Sequence, residues 1–342
     1  MKTSPTSAVV CGLMLLVGCT VLAQIRSDNK GQRAAFAPED YLRWTKELSN
    51  WGRWGPADER GTLNLITAEK MKLAAALVKT GVSISLAELQ VPNVDDPASP
   101  YSGKPYVMTM NLRDFEQRAS KERFSSPPPE DLGMSAHGGR THIDSLAHMF
   151  YEGRGYNGIS YKEVTEKGAA KNAVDRMRSG IVTRGVLIDI PRLKKVPYLD
   201  SDARVYPADL DAWERMAGVK VSAGDALFVR VGHWARRKAT GEHAERSAGL
   251  DPTVIPWLKA RDVAVMGSEA VHDVMPNRDG LGPAPVHWFA LTFLGMSLMD
   301  YLDLDQLSEV AAQQKRWEFL VVIAPMPIKG ATGSPVNPIA VF

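Results

Sequence analysis

The sequence predicts an α/β or α+β domain with a partly mixed sheet, on three observations. Short apolar runs alternate with helical patterns through the second half, as in sheets whose strands are joined by helices. The first half is richer in strands and loops. At 342 residues the chain can bury a substantial core, as one large domain or two small ones. Its 44% hydrophobic and 23% charged content is that of an ordinary globular protein.

The elements are justified in chain order. Lys2 supplies a positive start and Ala8 to Ala23 is an uncharged apolar run, so residues 1–23 are expected to be a secretory signal, too short for a membrane span. Two cleavage readings compete. Val21-Leu22-Ala23 before Gln24 is a small-residue site, and simple export there is favoured; Leu16-Val17-Gly18-Cys19 resembles a lipobox that would lipidate Cys19. Residues 24–38 form a polar leader, and 39–342 the folded domain. The only two cysteines, Cys11 and Cys19, fall in the signal segment. The body therefore has no disulfide framework, no cysteine nucleophile and no cysteine-rich zinc site.

Glu39 to Leu48 reads as a helix. Asn50-Trp51-Gly52-Arg53-Trp54-Gly55-Pro56 is an aromatic loop, either a packed corner or a substrate-pocket wall formed by Trp51 and Trp54. Thr67 to Lys79 reads as a helix with Thr67 as N-cap and Gly81 just past its end. Val82 to Leu89 and Tyr106 to Leu112 read as strands. The proline-rich stretches 91–104 and 117–133 read as surface loops, the second placed to cover the mouth of a site. Strands are expected at Gly185–Ile190, Ala226–Gly232, Val263–Gly267 and Glu318–Ala324, the last a final buried strand. Helices are expected at Asp209–Ala217, Asp251–Ala260 and Leu302–Gln314. A formal net charge of +2 without a basic run gives nucleic-acid binding no electrostatic support. Tyr151–Gly158 lacks the strand–turn–helix context of a phosphate loop, so no nucleotide is assigned.

Chemistry concentrates in His137-Gly-Gly-Arg-Thr-His142-Ile-Asp144-Ser-Leu-Ala-His148, which places three of the seven histidines and a carboxylate within twelve residues. Imidazole and carboxylate are the usual ligands of catalytic Zn²⁺ or Mn²⁺, which needs about three protein ligands and an open position. His142 and Asp144 are two apart, so on a strand they leave the same face. His148, beyond the strand end, is placed to act as a base. Further ligands must come from downstream, and His287 and Asp300, in apolar surroundings, are the best candidates. An N-cap role is the competing reading of Asp300. His272 and Asp273 read as a surface turn, and His233 and His243 as solvated.

These residues carry a resemblance to the cyclase family of metal-dependent hydrolases, which includes kynurenine formamidases, isatin hydrolase and a dienelactone hydrolase. Thr141-His142-Ile-Asp144-Ser-Leu-Ala-His148 matches the later part of the family's His-x-Gly-Thr-His-x-Asp-x-x-x-His segment. Asn50–Pro56, Gly61–Asn64, Tyr156–Gly158, Arg184–Asp189, Gly224-Asp225 and Gly333–Pro335 extend the likeness over about residues 40–342. The resemblance implies a single α/β domain around a mixed, barrel-like sheet flanked by helices, of the swivelling β/α type, assembling as a homodimer or homotetramer. It implies metal binding by His142, Asp144, His287 and Asp300, with His148 as acid/base. Two departures stand out. The family's first histidine falls on Gly138 here; His137 lies one residue earlier, as if Arg140 were inserted, and a bulged strand could still aim it at the metal. Asp300 replaces the formamidase branch's glutamate with a shorter arm, which favours one metal, Zn²⁺ or Mn²⁺, over a bridged pair.

The implied activity is hydrolysis of an amide, cyclic amide or lactone of a small molecule. Rival readings are an exported metal-containing binding protein of the same fold without turnover, and a structural envelope protein. An exported location, periplasmic or secreted, argues for an environmental substrate.

Overall fold

The computed structural model describes residues 36–342 apart from 90, 94–105, 111–120, 122–129, 136, 138–139 and 242–245. The expected signal segment, most of the leader, Pro127-Pro128-Pro129 and His243 lie outside the described residues. No described helix is long and apolar enough to cross a membrane.

The domain opens with α1 (Pro38–Glu47), whose Glu39 and Asp40 stand in the first turn, where the helix dipole favours negative charge. α2 (Ala68–Ala75) begins at the expected cap, the Thr67 hydroxyl accepting the Lys70 N–H at 3.1 Å. It stops at Ala75 rather than Lys79, because the following chain turns so that the N–H groups of Thr80 and Gly81 reach the Phe342 carbonyl. β1 (Ser83–Ser85) is shorter than expected. β2 (Val107–Met110) and β3 (Glu130–Gly133) pair antiparallel, so the end of the 117–133 stretch is a strand and not a loop: Leu132 and Met108 are partners in its ladder.

β4 (His142–Asp144) follows, then β5 (Ile181–Asp189) and α3 (Pro207–Ala217), where Pro207 sits inside the first turn and its missing N–H costs nothing. β6 (Ala226–Arg230) leads into α4 (His233–Thr240), a helix the composition hid because its five middle residues are mostly basic or small. His233, expected to be solvated, is instead buried, since it begins α4 directly behind a core strand. Burial, followed by the nearby Arg237 and Arg236 charges, pushes its pKa down to about 3. α5 (Val254–Ala260), β7 (Val265–Ser268), α6 (Pro285–Phe289), β8 (Ser297–Asp300), α7 (Asp305–Gln314), β9 (Glu318–Ile323), β10 (Gly333–Pro335) and β11 (Ile339–Val341) complete the chain. β9 is not the last strand, and it alternates rather than being buried on both faces: Phe319, Val321 and Ile323 point inward.

Nine strands form one mixed half-barrel sheet in the order β1-β11-β9-β5-β6-β7-β8-β4-β10. β5, β6, β7 and β8 run parallel. The others pair antiparallel. Ile143, Leu187, Phe228, Val265, Met299, Phe319 and Phe342 share one buried core on one side of this sheet. The carboxyl ends of the parallel strands carry Asp189, Arg230, Ser268 and Asp300, the edge where α/β sheets place their ligands.

Candidate metal centre

Strand alternation builds the first half of the site. Ile143 turns into the core beside Met299, its partner in register, so His142 and Asp144 must leave by the opposite face. Both are buried. The antiparallel register then sets Asp300 opposite His142, and directly opposed residues have neighbouring side chains. Asp300 therefore stands beside His142 and outside α7, whose N-cap position is Leu304, while Asp303 accepts the Asp305 N–H at 3.1 Å.

On its other edge β4 pairs with β10, which places Gly333 opposite Asp144. A Cβ at Gly333 would run into the His137 ring, 2.9 Å from Nε2. The glycine thus leaves open the space His137 occupies, and the ring stands beside Asp144. Its Nδ1 stands 2.8 Å from Asp144 Oδ1, and Nε2 lies 3.0 Å from the Thr332 hydroxyl. His142 Nδ1 donates to the Arg140 carbonyl at 2.6 Å, which turns Nε2 toward the carboxylates, 3.5 Å from Asp144 Oδ1 and 3.9 Å from Asp300 Oδ2.

The second half comes from α6. The Asp273 carboxylate receives the N–H groups of Val286 and His287 at 2.8 and 3.0 Å. His287 Nε2 lies 3.0 Å from Asp144 Oδ2, and His148 Nε2 is 3.8 Å from the same oxygen. Asp144 therefore serves two trios, His137–His142–Asp144 and Asp144–His148–His287, in each of which the ligand atoms lie within 4.8 Å of one another.

Among the described residues, every ion-pair contact of Asp144 and Asp300 is to an imidazole. Burial alone would raise both carboxyls; the surrounding imidazoles win and hold Asp144 well below the usual carboxylate range, and Asp300 below it too. Reciprocally, burial would lower His142 and His287, yet the two aspartates push each up to about 9. His148 differs: burial, reinforced by neighbouring imidazoles against the attraction of Asp144, pushes it down to about 4.

Do these residues fit a cation? His137 Nδ1, Asp144 Oδ1, His287 Nδ1 and Asp300 Oδ1 are all buried without a hydrogen-bond partner. His137 Nδ1 and Asp144 Oδ1 are only 2.8 Å apart yet misaligned for a hydrogen bond. Lone pairs gathered at such spacing, around two ionised carboxylates, fit a divalent ion, whose charge would balance them. The nitrogen and oxygen donor set suits Zn²⁺ or Mn²⁺.

His148 is the most exposed of these rings, at 25% of its side chain, and stacks on His137 at 4.1 Å. It forms the mouth. Three residues after His148, Tyr151 meets Phe293 edge-on, and Phe293 stacks with Trp51 at 5.6 Å. Trp51 is also tied down by its indole N–H, which donates to the Thr292 carbonyl at 2.6 Å. That carbonyl belongs to the π-helical turn Ala290–Leu294 that continues α6, a form common at functional sites. Trp54 instead packs under the Arg53 guanidinium, 4.8 Å from its centre.

The sequence reading missed His272 and Asp273. The structure buries both, His272 Nε2 standing 3.2 Å from Asp300 Oδ1. The one signal for them was position: the pair follows Ala270-Val271 with no break after the carboxyl end of β7.

The cyclase family model, "Putative cyclase", matches residues 63–272. The chain belongs to that family of proteins. The structure is similar to that of a novel cyclase, 29% identical, over 87% of this chain and 99% of the other, with a TM-score of 0.75. It is also similar to isatin hydrolase A from Labrenzia aggregata bound to benzyl benzoate, 22% identical over 78% and 95% of the two chains, TM-score 0.54. A third likeness is to isatin hydrolase A from Ralstonia solanacearum, 21% identical over 80% and 96%, TM-score 0.52. At the latter two identities the likeness carries the fold. No curated protein matches the chain.

Proposed function

We propose that this protein is a metal-dependent hydrolase that opens an amide, cyclic amide or lactone bond of a small molecule. The observation that carries the reading is convergence: His142 and His287, 145 positions apart, meet with His137 and His148 around the Asp144 carboxylate. The proposed metal set is His137, His142, Asp144, His287 and Asp300. Both trios share Asp144, so that carboxylate would be common to whatever divalent ion they hold, and His148 is reserved for the proton. Such an ion supplies Lewis acidity, polarising a carbonyl and acidifying water.

The residues then divide the work. His148 is neutral near pH 7, so its Nε2 can accept the proton of the attacking water and return it to the leaving nitrogen or oxygen. Asp144 holds His287 and keeps charge next to His148, stabilising the imidazolium that forms. Trp51, Phe293 and Tyr151 offer an apolar wall beside the mouth for a planar substrate; we assign Trp54 to the same loop's support. Export through residues 1–23, an environmental substrate and assembly as a homodimer or homotetramer belong to the same proposal.

The test is turnover of a panel of N-formyl anilides, isatin-type cyclic amides and lactones by protein loaded with Zn²⁺ or Mn²⁺. Product formation abolished by a chelator and restored by the ion supports the reading. Tight binding of panel members without product would replace it with a carrier of the same fold.

A further inference from the structure

The loop that leaves β7 carries a dipeptide that the five proposed ligands do not use. The His272 side chain has no solvent exposure, and neither of its ring nitrogens has a hydrogen-bond partner. A buried imidazole with both nitrogens unsatisfied is costly, so its surroundings are incomplete as protein alone. Nε2 stands 3.2 Å from Asp300 Oδ1, an oxygen that also lacks a hydrogen bond. Ligands held about 2.1 Å from one ion lie roughly 3.0–3.4 Å apart, and this pair has that spacing. The His272 ring is 6.0 Å from the His287 ring, and His287 Nδ1 and His142 Nε2 each lie 3.9 Å from Asp300 Oδ2. His272 therefore lies on the Asp300 side of the centre.

Its neighbour acts on the same place by another route. Asp273 is fully buried, and its two carboxylate oxygens receive the N–H groups of Val286 and His287. The next ligand is thereby fixed through its own backbone. Adjacent residues of one loop touch Asp300 with one side chain and His287 with the other.

We propose that His272 is a further ligand of the metal centre on its Asp300 side, and that Asp273 is a positioning residue that fixes His287. The proposal rests on the reading that the cluster holds a metal ion. It adds to the centre a histidine outside the His137–His148 segment.

Metal-free protein titrated with Co²⁺ tests it, because the visible d–d bands report the donor set as well as the affinity. Wild type binds and develops bands. His272→Gln binds roughly 10–100-fold more weakly with shifted bands, whereas Asp273→Asn binds more weakly with bands unshifted, since the donors are the same. Wild-type affinity and bands in His272→Gln overturn the proposal and leave the metal reading intact; a wild type that binds no Co²⁺ overturns both. Should near-UV circular dichroism show that His272→Gln does not fold, the wild type decides. With ¹¹³Cd and ¹⁵N-labelled histidine, the proposal predicts cadmium coupling to four rings, those of His137, His142, His272 and His287. Coupling to the other rings without His272 overturns it.

Discussion

Gly333→Ala isolates the link between fold and ligand set. Gly333 faces Asp144 across the β4–β10 pair. A methyl there would collide with His137 Cε1, lie 2.9 Å from Nε2 and 3.0 Å from the Ile143 carbonyl oxygen. Comfortable contacts begin at roughly 3.5 Å. The carbonyl belongs to a strand paired on both edges and cannot yield, so the ring must. His137 is 22% exposed and can swing toward solvent, which takes Nδ1 away from Asp144 and breaks the stack on His148. Structural zinc sites gain about 10–16 kcal/mol from four ligands, so one ligand is worth about 3 kcal/mol, and the ion should bind roughly a hundredfold more weakly. Metal-free stability should fall by only about 1–3 kcal/mol, the usual cost of an added methyl in a packed place. Competition against a chromophoric chelator measures the first quantity and denaturant unfolding of the metal-free protein the second. Unchanged metal affinity in a folded Gly333→Ala would refute the argument that this glycine exists to admit His137 as a ligand.

Four further outcomes are expected. His148→Ala should keep its metal and lose most turnover, roughly 10²–10⁴-fold for a lost acid/base; near-normal rates with any panel substrate would remove His148 from the mechanism. Asp144→Asn, which strips the carboxylate shared by both trios, should bind metal too weakly to survive dialysis, as elemental analysis would show. In the metal-free protein His142 and His287 titrate near 9, so below that pH the ion must displace their protons: affinity should rise with pH up to about 9, and calorimetry near pH 7.5 in buffers of different ionisation enthalpy should count about two protons released. Glu269 is pushed up to about 7 by burial from an ordinary 4.5, partly offset by Arg230. Its unfolded form loses its proton first, so wild-type stability should decline as pH rises from about 4.5 to 7, by about 3 kcal/mol from this group. His233, held down to about 3, works in the opposite sense as pH rises toward 6.5, so the comparison of wild type with Glu269→Gln, which should lack the decline, is the clean readout.

Much of the centre was legible because it is local. A strand of three residues fixes which of His142, Ile143 and Asp144 face the core, and the period-two alternation of a strand is enough to say so. The class of fold was legible from runs such as Ala226–Arg230 and the helix at Pro207–Ala217. What escaped was nonlocal or disguised. β8 and β10 are short, with a glycine or a carboxylate at an end, and owe their extended form to β4 between them. α4 is so basic that it reads as solvent-facing, which misplaced His233. His272 and Asp273 look like a polar turn, and only tertiary packing reveals that Asp300 and the start of α6 close over them. His137 lay off the family spacing, and the glycine that accommodates it is almost two hundred positions away.

Anomalous diffraction from crystals of the metal-loaded protein, collected on both sides of the zinc and manganese edges, tests the central claim most directly. The account predicts an element-specific peak bounded by His142, Asp144 and His287, with His148 at its open side. A peak elsewhere, or none in protein that elemental analysis shows to be loaded, would contradict it.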